Sequence, residues 1–243
     1  MKYNADYKTS FRILKGGKIS MMVSALLAGT TISFASPSGG QVTTGSATIT
    51  QNNSTTTIKQ SSNKASINWQ DFNIGKNETI NFEQPSASSV TLNRVVGADR
   101  SLIQGSMNAN GQVILVNPNG VVFTKGSQVN VGGLVASTLN ITDENFQSGN
   151  YIFEGDSQNS VINMGTIKAL SGGHIVLAGK TVKNDGLIQA TMGRVELAGG
   201  SKISLNLNGN SIVKLTIEQG VYAALVENNG IIKADVSSSK NIF

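Results

Sequence analysis

The 243-residue chain contains no cysteine, one histidine and three prolines, and aromatic residues make up only 5% of it. Without cysteine there is no disulfide framework, and with a single imidazole, His174, there is neither a His–Cys nor a multi-His zinc site. So few aromatics argue against a thick globular core. Charged residues, at 14%, are too sparse for a disordered polyelectrolyte. A polysaccharide-cleaving site needs acids and bases clustered on one face, and no such column is present. Asp143-Glu144 and the Glu154/Asp156 pair read as solvated loop charges. Gly179-Lys180-Thr181 ends like a phosphate-binding loop, but His174 stands where that loop requires glycine. His174 has no nucleophile or base close to it in sequence and reads as an exposed strand position. The chain is therefore read as a non-enzyme, with no catalytic residue, no metal and no cofactor assigned.

What is abundant is glycine, 27 residues, together with Ser, Thr, Asn and small aliphatics. The net charge of +5 is unevenly placed: Lys2, Lys8, Arg12, Lys15 and Lys18 against Asp6 account for four of the five charges. The remaining basic excess is too small for a nucleic-acid footprint, so no nucleic-acid partner is expected. Residues 1–35 have the layout of an export signal with an extended basic n-region, then an apolar stretch too interrupted to span a membrane. Ser33-Phe34-Ala35 places small residues at both positions that precede a cleavage site, which sets the expected cut between Ala35 and Ser36. Such a leader implies the inner-membrane export machinery as a partner. The lack of cysteine fits a chain threaded unfolded through a membrane, since a crosslinked loop resists threading.

Residues 36–79 read as an N-terminal cap and first coil, with short polar strands at Ala47–Thr50 and Thr56–Lys59 and with Trp69 as a plug beneath them. From residue 80 to 243 the chain repeats every 20–21 residues. Gly105 and Gly126, Gly111 and Gly132, and Val113 and Leu134 are each 21 apart. The phrase Asn163-Met-Gly-Thr-Ile167-Lys-Ala returns 21 residues later as Asn184-Asp-Gly-Leu-Ile188-Gln-Ala. It returns again 44 residues on as Asn228-Asn-Gly-Ile-Ile232-Lys-Ala, which reads as two periods with a degenerate coil between. Short strands punctuated by Gly and Asn, without helical periodicity, define an all-β chain wound as a right-handed parallel β-helix. In that fold Asn163, Asn184 and Asn228 stack at a corner, and Ile167, Ile188 and Ile232 form an inward column. About ten coils are expected at this period, making a rod of roughly 45–50 Å. Thr142–Glu154 interrupts the repeat as a loop or small extra-helical hairpin.

The sharpest local signal is Asn117-Pro118-Asn119-Gly120, set between the β-branched runs Val113–Val116 and Val121–Phe123. Asn bonding back to its own backbone, Pro presetting φ and Gly closing suit a type I turn. Such a turn splays the strands it joins, so it marks a solenoid corner rather than a tight hairpin.

With these residues in place, the sequence resembles the N-terminal secretion domain of the TpsA exoproteins of two-partner secretion. This is the haemagglutination-activity domain of filamentous haemagglutinins, and the chain is most like the high-molecular-weight adhesin type. The resemblance rests on Gly105, the run Asn110–Val121, the run Gly133–Leu139 and the pair Asn145-Phe146. It implies a β-helix recognised by a TpsB-type outer-membrane barrel through periplasmic POTRA domains. It also gives Asn117, Pro118, Asn119 and Gly120 the status of the family's hallmark turn. The implied location is the surface or surroundings of a Gram-negative bacterium, reached through the periplasm, as the front portion of a longer haemagglutinin-like adhesin. Two other readings remain: a domain that itself binds a host cell surface or glycan, and a β-helical polysaccharide-active enzyme.

Overall fold

The structure, a computed structural model, describes residues 36–208, 211–219 and 225–234. The expected leader and Ala35 lie outside the described residues; Ser36 is the first within them. In chain order the strands begin with β1 (Gln41–Thr44), β2 (Ala47–Asn52), β3 (Thr55–Gln60), β4 (Lys64–Trp69), β5 (Thr79–Glu83) and β6 (Val90–Val95). Next come β7 (Ser101–Ile103), β8 (Ser106–Ala109), β9 (Gln112–Val116), β10 (Val121–Phe123), β11 (Gln128–Val131) and β12 (Gly133–Ser137). A short helix, α1 (Asp143–Ser148), and β13 (Tyr151–Glu154) precede β14 (Ser160–Asn163), β15 (Thr166–Ala169), β16 (His174–Gly179), β17 (Thr181–Asn184), β18 (Leu187–Ala190) and β19 (Arg194–Gly199). Then follow β20 (Lys202–Asn208), β21 (Ser211–Gln219), β22 (Leu225–Asn228) and β23 (Ile231–Lys233).

These strands stack as a parallel β-helix of about six turns. Sheet 1 runs β1-β4-β6-β9-β12-β16-β19, sheet 2 runs β7-β10-β14-β17-β22, and sheet 3 runs β2-β3-β5-β8-β11-β15-β18-β23. A rung therefore passes from sheet 1 through the Asn117–Gly120 corner to sheet 2, then round a second corner to sheet 3. Within the solenoid the rungs pair in parallel, with Val113 opposite Leu134 and Leu134 opposite Ile175. Their inward side chains form a continuous core, in which Leu115, Val121, Phe123, Val129 and Ile167 are fully buried. At the N-terminal end β1 and β2 pair antiparallel with β4 and β3, closing the parallel edges. Trp69 lies just below, 1% exposed, donating its indole N–H to Asn93 at 3.0 Å and meeting the Phe72 ring edge-on at 5.5 Å.

The middle of sheet 1, from β6 to β16, is buried on both faces. Ile114, Val116, Val135, Val176 and Ala178 point outward, yet they form a second core with Phe146, Phe153, Ile203 and Leu205. Those last residues come from α1 and from an extra sheet, β13-β20-β21, that is antiparallel throughout. Burial on both sides explains why β9, β12 and β16 are continuous apolar runs and not alternating ones.

The insertion departs from the expected loop or hairpin, because its first part is helical. Thr142 caps it, with Oγ1 accepting the Asn145 N–H, and Gly149 at φ +80° ends it. Asp143 at its start pairs with Arg94 at 2.9 Å. Lys64 donates to the Phe146 and Gln147 carbonyls at its end, both at 2.9 Å, as the helix dipole favours.

The number of coils departs for the same reason, chain inserted outside the repeat. Asn184 and Asn228 lie on adjacent rungs, since β17 pairs directly with β22 and β18 with β23. No coil separates them: within 200–224 the described strands β20 and β21 belong to the extra sheet outside the solenoid. Together with the α1 insertion this leaves about six turns where ten were expected. His174 does occupy the register of Arg194 one rung later, but it is 1% exposed and not on the surface. Its ring lies over Gly133 of the previous rung, where a β-carbon would come within 2.7 Å of it. The missing side chain makes the space.

Candidate functional site

The Asn117–Gly120 corner is held by bonds from three directions. The Gly120 N–H donates to the Asn117 carbonyl at 2.9 Å, closing a four-residue turn. Asn119 has negative φ, as a type I turn requires and a type II turn does not. The Asn117 Oδ1 accepts the Asn119 N–H at 2.9 Å, so the side chain completes the turn it begins. Gly120 takes φ +108°, a conformation that favours glycine.

The amide of Asn117 is fully buried. Its Nδ2 donates to the Asp99 carbonyl and to the Ser101 hydroxyl, both at 3.0 Å, tying the corner to the rung before. Asn119 Nδ2 reaches the same segment, donating to the Gly97 carbonyl at 2.9 Å. From the other side the Pro118 carbonyl accepts from Ser157 Oγ at 2.5 Å and Asn159 Nδ2 at 2.9 Å. Only Pro118 is exposed; Asn119 is half-buried and Gly120 buried. Both asparagine amides of the folded turn are therefore engaged within the chain.

Ser101, Asp99 and Gly97 are partners that sequence reasoning missed. A signal existed for Ser101, because it is the register equivalent of Val121, twenty residues earlier. None existed for Ser157 and Asn159, which arrive after the α1 insertion has broken the period.

The second predicted set is brought together at the corner between sheets 2 and 3. Asn163 Nδ2 donates to Asn184 Oδ1 at 2.8 Å, and Asn184 Nδ2 to Asn228 Oδ1 at 2.7 Å. The first two also accept the N–H of the glycine two residues on. Ile167 and Ile188 are fully buried beneath this ladder, and Ile232, on the last described rung, is 37% exposed. No group of three or more His, Cys, Asp or Glu that could hold a metal occurs among the described residues. The Asp143–Glu144 and Glu154–Asp156 carboxylates start a helix and border the extra sheet.

The arrangement defines a β-helical stacking domain whose most elaborate feature is a corner, not a cleft. The chain belongs to the TPS secretion domain family, whose model matches residues 33–241. A heme/hemopexin-binding protein of Haemophilus influenzae is 38% identical over 232 residues, covering 89% of this chain and 25% of that protein. A second Haemophilus influenzae protein of that name is 47% identical over 97 residues, 40% of this chain and 10% of its own length. The chain thus spans at most about a quarter of the length of these relatives. Among solved structures, the HMW1 secretion domain of Haemophilus influenzae superposes with a TM-score of 0.74 at 32% identity, over 82% of this chain and 56% of that one. A filamentous hemagglutinin secretion domain gives 0.55 at 16% identity, over 81% and 75%, a likeness of fold alone. This is the secretion domain of a TpsA exoprotein, not an enzyme, and its family implies a secreted Gram-negative product with a TpsB outer-membrane transporter as partner.

Proposed function

We propose that the POTRA domains of the TpsB transporter recognise this domain in the periplasm while it is unfolded, with Asn117-Pro118-Asn119-Gly120 as part of what is read. The leader, cut between Ala35 and Ser36, brings it there through the inner-membrane machinery. Pairing is by strand addition, in which an extended segment joins an exposed sheet edge. The observation that carries this reading is the complete engagement of the Asn117 amide inside the folded domain. A partner that reads that amide must meet it before the coil closes.

After export the domain folds first and offers its last described rung as a template. Val226 and Ile232, 45% and 37% exposed there, are apolar surface on which a further coil stacks. The longer exoprotein is then a haemagglutinin-like adhesin acting at host cell surfaces, as the resemblance implies.

The test is export with the cognate transporter. Asn117→Ala and Asn119→Ala are each expected to reduce released protein at least severalfold while the periplasmic pool persists. Folding alone predicts a graded effect: Asn117→Ala takes the donor from the buried Ser101 hydroxyl and the part-buried Asp99 carbonyl, and the acceptor from the Asn119 N–H, and costs about 3 kcal/mol, whereas Asn119→Ala costs about 1 kcal/mol. Equal loss of export from both variants follows recognition. Normal release of both overturns the proposal.

A further inference from the structure

The corner between sheets 2 and 3 is uneven, and the unevenness makes a notch. Ile103 and Met107 are joined in four residues, and so are Asn163 and Ile167. The rungs on either side of Ile103–Met107 take six, from Ile74 to Ile80 and from Phe123 to Val129. The extra residues form two overhanging turns, closed by Glu78 N–H to the Gly75 carbonyl at 2.9 Å and Ser127 N–H to the Thr124 carbonyl at 3.0 Å. Gly126, at φ +95° in the third position, makes the second turn type II. Both turns carry lysine in the second position, Lys76 and Lys125.

Between them Gln104-Gly105 is recessed. The result is a cavity of about 330 Å³ with Lys76 and Asn77 on one wall, Thr124, Lys125 and Gly126 on the other and Gln104 on the floor. The walls are two rungs apart, about 10 Å. Lys76 and Lys125 are exposed, and neither forms an ion pair or hydrogen bond with any described residue. The Thr124 hydroxyl already donates to the Ile103 carbonyl. Glu78, the fourth residue of the first turn, is 5% exposed and is not among the residues that line the cavity; its Oε2 accepts the Gly75 N–H at 2.7 Å, and its Oε1 is buried without a hydrogen-bond partner.

Two unpaired ammonium groups on facing walls, with the Asn77 and Gln104 amides beside them, call for an anion with acceptor oxygens on opposite sides. A planar carboxylate offers fewer directions than a tetrahedral group, and lysine serves as a point charge for such groups. We propose that the Lys76–Lys125 notch binds a tetrahedral oxyanion, a sulfate or phosphate group. The site is independent of the Asn117–Gly120 turn and of export, and it serves the folded domain.

The purified protein, labelled with ¹⁵N, is titrated with sodium sulfate and sodium phosphate, then with glucosamine 6-sulfate and glycerol phosphate. Saturable shifts are expected at the Asn77, Lys125 and Gly126 amides. Lys76→Gln and Lys125→Gln, exposed changes that leave the melting curve alone, each weaken binding about tenfold, the scale of one charge-assisted bond. Preference for the sugar sulfate or for the phosphate ester names the source, and equal binding leaves the oxyanion itself as the ligand. Absence of saturable shifts, or shifts that persist in the Lys76→Gln/Lys125→Gln double variant, overturns the proposal.

Discussion

Gly173→Ala is expected to lower the stability of the domain by about 3 kcal/mol or more, near the upper end for overpacking by a single methyl group. Gly173 stands in the tight passage from sheet 3 to sheet 1, in a column with Gly111, Gly132 and Gly193. A β-carbon there would lie 2.0 Å from the Gly132 carbonyl oxygen and 2.9 Å from that of Leu170. Both are backbone atoms, and Gly132 is itself held by its N–H bond to Gly111 at 2.7 Å. Relief therefore requires two rungs to part, which breaks parallel ladder bonds on both sides. Gly126→Ala is the control. It has no atom within 4 Å of the new methyl and carries only the strain of φ +95°, about 1–2 kcal/mol. Urea unfolding of the two variants checks the difference, and a Gly173→Ala midpoint equal to that of Gly126→Ala contradicts it.

Trp69→Ala is expected to cost about 4 kcal/mol, the usual range for truncating a fully buried tryptophan. The indole fills the end of the solenoid under the antiparallel cap, and its loss removes the edge-on contact with Phe72. It also leaves the buried Asn93 Oδ1 without its indole donor. Trp69→Phe keeps much of the volume but not that bond, so its cost should be roughly half. Thermal melts order the three proteins as wild type, Phe, Ala. A Trp69→Ala protein that melts within about 2 °C of wild type, under 1 kcal/mol for a domain of this size, would show that the cap does not depend on this plug.

Much of this architecture was legible because stacked rungs repeat their local chemistry. Val113 and Leu134 are register partners, as their spacing of 21 states, and the Asn163 and Asn184 phrases pair residue for residue. Illegible features are those the chain adds outside the period. Asn184 and Asn228 are 44 residues apart in sequence but one rung apart in space, and nothing in either phrase tells an excursion from a worn coil. Gly105 and Gly126 show the opposite error. Their spacing of 21 is fortuitous: the overhanging Lys125 turn shifts the register, and Gly105 stacks with Ser127. The burial of His174 depends on the absence of a side chain at Gly133, 41 residues earlier, which no local pattern reports. The Asn117–Gly120 turn was readable as a turn. Its ties to Asp99, Ser101, Ser157 and Asn159 emerge only when neighbouring rungs are placed beside it.

In the proposed function the corner passes through two successive states: extended with free amides before folding, closed with the amides engaged afterwards, as in the folded domain. The most direct measurement is the affinity of the transporter's isolated POTRA domains for the chain held unfolded in mild urea and for the same chain refolded. The account predicts binding to the unfolded chain, weakened at least tenfold by Asn117→Ala, and little binding to the refolded domain. Equal affinity for both forms would contradict it, as would an unfolded Asn117→Ala chain that binds like wild type.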